Sequence, residues 1–308
     1  MRLSLFFSVF ACAVSVASSS SSCVTVLSSK HVACTPIGSP RKELLVFFGG
    51  SKSKPSNAPL YAFYDAAAAL GFHVVSVAYP DTPTVAAACS GQPSTCFWYV
   101  RQKRMYGDGG AMPALRQLVS ELAATVQPGK GWDQFLTGSA VDFSKVVTAG
   151  HSQGAGNAVM VGKAHGVLGV VQLSGVDDVD SIGNPAPWIV ERPSLTPTAR
   201  YFGLGNGNGF AVNQWCVNWP ALNMTGWRYL EQPGCIGPEA GAQMICSCAS
   251  VPHPKKEKLP GLAAHMATVA NASLYKDVWE YMLTRGEGAR GEQGVCAVRD
   301  INRTGCKC

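Results

Sequence analysis

The chain has 308 residues, of which 47% are hydrophobic and only 14% charged, and its formal net charge is +6. This composition excludes an intrinsically disordered protein, and the length suits one large α/β domain or two small domains. The basic residues cluster only briefly, at positions 101–104 and 255–258, so the charge pattern indicates a solvated surface and no nucleic-acid binding.

The N-terminus has the three parts of a secretory signal peptide. Met1 and Arg2 precede a mostly apolar run that ends at Val16, and the residues up to Ala17 form a small-residue cleavage site. The apolar run is shorter than the roughly 20 residues that a membrane span needs. We therefore predict a signal peptide over residues 1–17, secretion of the rest of the chain, and no membrane span. Sequons for N-glycosylation are consistent with this route and occur at Asn223, Asn271 and Asn302.

The cysteines indicate a disulfide-bonded protein. Of the 12 cysteines, Cys12 lies in the predicted signal peptide, and the odd number that remains predicts at least one thiol that is unpaired or pairs between chains. The bridges predicted from sequence proximity are Cys23 with Cys34, Cys89 with Cys96, and Cys216 with Cys235. Zinc binding by the Cys-x-Cys pairs is the alternative, but the metal-type Cys-x2-Cys spacing is absent. We expect no metal and no cofactor.

Strand and helix patterns alternate along the chain after an N-terminal extension at residues 18–43. The predicted strands are 24–27, 44–48, 73–78, 146–149, 167–173, 198–204 and 227–230, and the predicted helices are 60–70, 113–126, 154–165 and a last one around 274–282. This alternation predicts an α/β domain over residues 44–285, with a mostly parallel sheet that carries helices on both faces. Within it, residues 215–260 are predicted to form an insertion rich in Cys, Pro and Gly, and residues 286–308 form a Cys-containing tail.

The stretch from Val146 to Gly156 carries the strongest chemical signal. Its apolar start predicts a buried strand, Gly150-His151-Ser152-Gln153-Gly154 matches Gly-x-Ser-x-Gly, and small residues then open a helix. In this context the motif predicts a nucleophile elbow, a tight strand-to-helix turn that exposes a serine hydroxyl. Glycines flank the serine because a Cβ two residues before or after it would crowd the backbone or the helix packing.

Ser152 needs a base, and the base needs an orienting acid. His265 is the predicted base, because it follows the last predicted strand and precedes the last helix. The usual place for the acid, the loop after the strand at 198–204, offers asparagine and no carboxylate. We therefore predict Asp178 as the acid, with Asp177 as the second choice.

Two backbone N–H groups are predicted to form an oxyanion hole. Gly50 follows the buried strand at 44–48, where glycine lets the chain approach a substrate closely. Gln153 comes directly after Ser152, and the residue after the nucleophile points its amide into the hole.

Several stretches resemble a group of proteins of the α/β-hydrolase superfamily that are secreted, esterase-like or lipase-like, and carry a Gly-His-Ser-Gln-Gly elbow. The stretches are 47–51, 73–80, 131–136, 143–154 and 172–175, together with His265 and Thr268. The resemblance implies an α/β-hydrolase fold, with Ser152 as nucleophile and His265 as base. Asn208 stands where the pattern of that group has an aspartate, and Asn157 stands where a histidine is usual. Both departures bear on catalytic competence.

The leading hypothesis is a secreted serine hydrolase that cleaves a small-molecule or polymeric carboxylic ester through an acyl-serine intermediate. The alternative is a catalytically weakened α/β-hydrolase-fold protein that acts as a binding or cell-surface interaction module. The elbow and the late histidine favour the enzyme, whereas the missing acid and the Cys-rich segments favour the alternative. The sequence leaves the identity of the substrate and the oligomeric state open.

Overall fold

A computed structural model describes residues 22–26, 30–230, 241–252 and 259–285. The predicted signal peptide and the predicted C-terminal tail lie outside the described residues, as do Cys235 and Asn302. The predicted insertion at 215–260 is described only in part.

Most of the described strands belong to one large sheet. The strands are β1 (Cys23–Val26), β2 (His31–Cys34), β3 (Leu44–Phe48), β4 (His73–Val77), β5 (Leu136–Thr137), β6 (Ala140–Val141), β7 (Val146–His151), β8 (Gly169–Leu173), β9 (Tyr201–Asn206), β10 (Trp227–Tyr229) and β11 (Met244–Ser247). Nine of them form this sheet in the order β1-β2-β4-β3-β7-β8-β9-β11-β10, and β5 and β6 form a separate hairpin. β2 runs antiparallel to both of its neighbours, and the other paired strands of the large sheet are parallel.

Helices cover both faces of the sheet. They are α1 (Tyr61–Ala69), α2 (Val85–Ala88), α3 (Cys96–Tyr106), α4 (Ala111–Glu121), α5 (Gln153–Ala164), α6 (Pro187–Glu191), α7 (Val212–Ala221), α8 (Leu262–Ala270) and α9 (Ala272–Leu283). One apolar cluster lies under α1, α8 and α9, and a second lies under α3, α4, α5 and α7. Every residue of β3, β4 and β8 is buried, as expected for apolar strands covered on both faces. No helix within the described ranges is long and apolar enough to cross a membrane.

The strand order decides the fold class. One early antiparallel strand, the exchange of β3 and β4, and the run of parallel strands that follows match the predicted architecture. The chain has the α/β-hydrolase fold. β7 is the middle strand of the sheet, so the turn after it lies at the edge where the neighbouring parallel strands also end. Ligands of open α/β sheets bind at this carboxyl edge.

The sheet extends beyond the predicted domain elements in two places. β1 and β2 belong to it, so it begins inside the predicted extension at 18–43. β11 lies between β9 and β10, so the predicted insertion at 215–260 contains two strands of the main sheet. Both β2 and β11 have only four residues, which is too short a run for periodicity to separate a strand from a loop.

Five of the described helices lie where the sequence predicted none, namely α2, α3, α6, α7 and α8. α2 and α6 have only four and five residues. α3 was missed because its buried face contains Arg101 and Arg104, which break the apolar pattern that marks an amphipathic helix. α7 lies next to the Cys-rich segment and contains Pro220, a residue that normally argues against a helix interior. α8 begins after Gly261 and carries His265, which was expected between elements.

Two of the predicted disulfides are present. Cys23–Cys34 joins β1 to β2, and Cys89–Cys96 joins the end of α2 to the start of α3. Cys216 is also disulfide-bonded, and its predicted partner lies outside the described residues. The first of these bridges fastens the edge strand of the sheet.

Candidate active site

Ser152 lies in a tight turn between β7 and α5. Its backbone torsions are φ 55° and ψ −127°, in a region that residues with a side chain rarely adopt. The flanking positions have no room for a side chain. A Cβ on Gly150 would overlap the Gly154 carbonyl oxygen, and a Cβ on Gly154 would overlap the carbonyl oxygen of Phe48. The chain therefore has the strand-to-helix geometry that the Gly-x-Ser-x-Gly pattern predicts.

Ser152 lines a cavity of about 480 Å³ that is formed by loops at the ends of the central strands. The predicted site residues that line it are Gly50, Ser152, Gln153, Asp177, Asp178 and His265. Another part of the lining is apolar and consists of Val85, Phe210, Leu259, Leu262 and Met266. The volume lies within the range of roughly 300–1,000 Å³ that is usual for small-molecule sites.

The main chain at Gly50 and Gln153 flanks Ser152. A Cβ on Gly50 would lie 3.1 Å from the Ser152 Cβ, so the loop after β3 approaches the turn at main-chain distance. Gln153 is the first residue of α5, and its N–H therefore has no acceptor within the helix. The Gln153 side chain is fixed, because its Oε1 accepts a hydrogen bond from the Val85 N–H at 2.7 Å. Both predicted oxyanion donors are thus next to the serine.

His265 is held by aromatic contacts and by its own backbone. Its ring stacks on Phe210 with centroids 3.8 Å apart, and it packs edge-on against His151 at 4.7 Å. The His265 carbonyl accepts hydrogen bonds from His151 Nε2 at 3.1 Å and from Ser174 Oγ at 3.2 Å. Burial, and then the neighbouring His151, lower the pKa of His265 well below its ordinary value. The imidazole is therefore neutral at neutral pH.

The ring nitrogens of His265 are not engaged by an acid. Neither Nδ1 nor Nε2 has a hydrogen-bond partner of good geometry among the described residues. The backbone of Phe210 raises the pKa of this imidazole slightly, but no described carboxylate contributes to its pKa. Both nitrogens are buried, and neither is hydrogen-bonded to the hydroxyl of Ser152.

Asp178 is paired with Arg101 and not with His265. Arg101 Nε and Nη2 each donate to the Asp178 carboxylate at 2.6 Å, and Trp188 Nε1 donates to Asp178 Oδ2 at 2.9 Å. The side chains of Arg101 and Asp178 are only 1% and 3% exposed. The prediction that Asp178 orients the base therefore has no contact to support it, because a buried guanidinium occupies both carboxylate oxygens.

Arg101 belongs to the site, although no sequence motif marks it. Its Nη1 donates to the Gln153 carbonyl at 2.9 Å and to Asn157 Oδ1 at 2.7 Å. Burial alone would lower the pKa of Arg101, but the Asp178 carboxylate raises it overall. The guanidinium thus joins the first two turns of α5 to the loop after β8. Asn157, which departs from the resembling group, supplies one of its acceptors.

The asparagines at the end of β9 and in the loop after it contact groups other than His265. Asn206 is buried, and its Nδ2 donates to the Tyr275 hydroxyl at 2.9 Å. Asn208 is largely exposed, and its Nδ2 donates to the Cys248 carbonyl at 3.0 Å. Neither side chain takes the place of an acid beside the histidine.

No family model matches the chain, and no curated protein sequence matches it. Solved structures match at low identity. An alpha-beta serine hydrolase homologue from Coxiella burnetii is 12% identical, with 82% of this chain and 90% of that chain covered and a TM-score of 0.43. A putative esterase from Staphylococcus aureus is 9% identical, with 86% and 83% covered and a TM-score of 0.45. A hormone-sensitive lipase from a metagenome library is 11% identical, with 83% and 82% covered and a TM-score of 0.43. The fold assignment rests on the strand order described above.

Removing only one member of the Arg101–Asp178 pair should be more costly than removing both. Arg101→Met leaves a buried carboxylate with Trp188 as its remaining donor, and we expect the free energy of unfolding to fall by about 3 kcal/mol. Arg101→Met combined with Asp178→Leu leaves no buried charge and should cost clearly less than the sum of the single changes. Chemical denaturation of the four proteins measures this coupling.

The matched control for this cycle is the more exposed pair Lys145–Asp142, whose charged atoms are 3.0 Å apart. Its coupling should stay below about 1 kcal/mol, because solvent screens it. Additive effects of the changes at Arg101 and Asp178 would contradict the view that these two charges form one buried unit.

Proposed function

We propose that the protein is a serine hydrolase that cleaves carboxylic esters through an acyl-Ser152 intermediate, with His265 as the base. The observation that carries this proposal is the shared cavity, whose lining includes a serine on a strained turn and a buried neutral histidine. A serine hydroxyl becomes an effective nucleophile only with such a base and with donors for the oxyanion. The main chain at Gly50 and Gln153 offers those donors.

The first half of the proposed reaction forms the acyl-enzyme. Ser152 Oγ attacks the carbonyl carbon of the ester while His265 accepts the hydroxyl proton. The carbonyl oxygen becomes an oxyanion, which the N–H groups of Gly50 and Gln153 stabilise. The C–O bond to the alcohol then breaks, and the leaving alkoxide receives the proton from His265.

The second half restores the enzyme. Water attacks the acyl carbon and gives a proton to His265, and the bond between Ser152 Oγ and the acyl carbon then breaks. The proton returns to Ser152 Oγ, and the carboxylic acid leaves. The overall reaction consumes one water and produces one alcohol and one acid, so it needs no cofactor.

The base acts without a carboxylate partner among the described residues. In a triad the carboxylate holds the imidazole in the correct tautomer and stabilises the imidazolium, and its loss costs about 10⁴ in kcat. The stack on Phe210 and the contact with His151 supply the orientation here, but they supply no charge. We therefore propose that turnover is slow compared with that of complete triads.

The absence of a described carboxylate beside His265 also favours a second function, a binding module that has lost efficient turnover. In that case the cavity would hold an ester or a similar ligand, and Ser152 would react with activated probes only poorly. The two functions differ in whether a covalent intermediate forms at Ser152 and then breaks down.

We also propose that the protein is secreted. The Cys23–Cys34 and Cys89–Cys96 bridges support this, because such bonds persist in oxidising compartments. Among the sequons, Asn223 is exposed, whereas the Asn271 side chain caps α9 by accepting a hydrogen bond from the Leu274 N–H. Glycosylation at these positions remains a prediction.

A fluorophosphonate probe should label the protein at Ser152. Ser152→Ala should abolish labelling and reduce hydrolysis of para-nitrophenyl acetate to background, because the nucleophile is gone. Ser51→Ala is the matched control, since Ser51 lines the same cavity but lies outside the turn, and it should keep both activities. In-gel fluorescence and release of para-nitrophenol measure the two outcomes. If labelling and hydrolysis do not depend on Ser152, the proposed enzyme activity is contradicted and the binding function is favoured.

The acid limb of the pH profile of kcat/KM should lie well below pH 6.5. Only the neutral imidazole can act as base, and burial keeps His265 neutral to lower pH than an ordinary histidine. Activity should therefore be lost only as the pH falls through the lowered pKa of His265. The rates should be measured with a neutral ester, over the pH range in which circular dichroism shows the folded protein. A limb at or above pH 6.5 would contradict a buried His265 as the base.

A further inference from the structure

Asp177 contributes to the cavity a carboxyl group that has no ion-pair partner among the described residues. It lies next to Asp178 in the loop after β8 and lines the same cavity as Ser152 and His265. Its Oδ1 is buried and has no hydrogen-bond partner among the described residues. No described lysine, arginine or histidine forms an ion pair with it. A buried polar atom of this kind needs a partner, which can be water, an ion or a charged group of a ligand.

The neighbouring charges do not neutralise Asp177. Arg101 directs Nε and Nη2 at Asp178 and Nη1 at α5, so its positive charge is already balanced. Burial, followed by repulsion from Asp178, raises the pKa of Asp177 to about 7, although Arg101 acts in the opposite direction. The other charged residue that lines the cavity, Lys52, does not contribute to this pKa and is exposed. The carboxyl group is therefore poised between its neutral and anionic forms.

We propose that Asp177 is a specificity-determining residue that recognises a positively charged group on the ester substrate. This inference rests on the proposed ester hydrolase. A partly buried carboxylate with one buried, unpaired oxygen is costly, and a cation on the substrate would offset that cost on binding. The apolar lining residues, such as Phe210 and Met266, would contact the hydrocarbon part of the same molecule. Esters with an anionic group should be excluded by the same charge.

Two matched pairs of esters test this recognition. The first pair is acetylthiocholine and its neutral isostere, in which a tert-butyl group replaces the trimethylammonium group. The second pair is the para-nitrophenyl ester of gamma-trimethylammonio-butyric acid and its tert-butyl isostere. A quaternary ammonium keeps its charge at every pH, and the pairs place the charge on either side of the scissile bond. We expect the wild-type kcat/KM to favour the cationic member of at least one pair by about tenfold above pH 7.

Asp177→Asn should remove this preference, so that kcat/KM falls about tenfold more for the cationic ester than for its neutral isostere, because the change removes the charge at nearly constant shape. The matched control is Asp180→Asn, in the same loop, since Asp180 is outside the cavity and should leave the preference intact. The thermal unfolding midpoint of each variant shows whether it is folded. Equal losses on cationic and neutral esters, or the same loss in Asp180→Asn, would overturn the proposal.

The pH dependence of the preference provides a test in the unaltered protein. The cation is attracted only by the ionised carboxylate, so the ratio of the two kcat/KM values should rise as the pH increases through about 7. Titration of His265 affects both esters equally and cancels in the ratio. A ratio that stays constant from pH 5 to pH 9 would contradict the role of Asp177.

The failure of this inference can be distinguished from the failure of the proposed function. If the neutral esters show no hydrolysis that depends on Ser152, the ester hydrolase fails. Titration calorimetry with butyltrimethylammonium then tests Asp177 without turnover. Tighter binding to the wild type than to Asp177→Asn supports the recognition of a cation, and equal binding overturns it.

Discussion

The tight turn at Ser152 is the constraint on which the rest of the site depends. The main chain of the segments that follow the neighbouring strands lies directly against this turn, without side chains in between. A Cβ on Gly154 would overlap the Phe48 carbonyl at the end of β3, and a Cβ on Gly175 would crowd the Ser152 carbonyl from the loop after β8. The loops that follow β3 and β8 therefore both begin next to the serine, and the cavity lies among them. This close approach places main-chain donors and carboxyl groups around one hydroxyl.

One buried ion pair supports this turn and also sets the electrostatics of the cavity. Arg101 binds the carbonyl of Gln153 on one side and the carboxylate of Asp178 on the other. A buried pair of this kind adds little net stability, because desolvation offsets the attraction, but its geometry is strict. Since Asp178 is occupied in this way, His265 is left without an acid and Asp177 is left without a counter-ion. The proposed slow turnover and the proposed preference for cations thus have a common cause.

The sequence was sufficient for the parts of the molecule that depend on local pattern. The long apolar strands, such as the one at Leu44–Phe48, and the turn at Ser152 follow from runs of residues or from a short motif. The role of His265 as base stays a prediction from chain order, and the structure places this residue inside α8 and not between elements. The short strands β2 and β11 give too few residues for a period to be visible. The pairing of Arg101 with Asp178 joins residues 77 positions apart, and nothing near either residue specifies the partner. Because Arg101 lies on the buried face of α3, this helix lacks the apolar pattern that usually marks a buried face.

Acylation of Ser152 is the event on which the proposed function stands, and rapid quenching followed by peptide mass spectrometry observes it directly. The protein is mixed with excess para-nitrophenyl acetate, stopped with acid within one turnover, digested and analysed. We predict one acetyl group on the peptide that contains Ser152, and its decay at the rate of steady-state turnover once the ester is exhausted. Acetylation only at other residues, or an acetyl group on Ser152 that never leaves, would contradict a hydrolase that works through this serine.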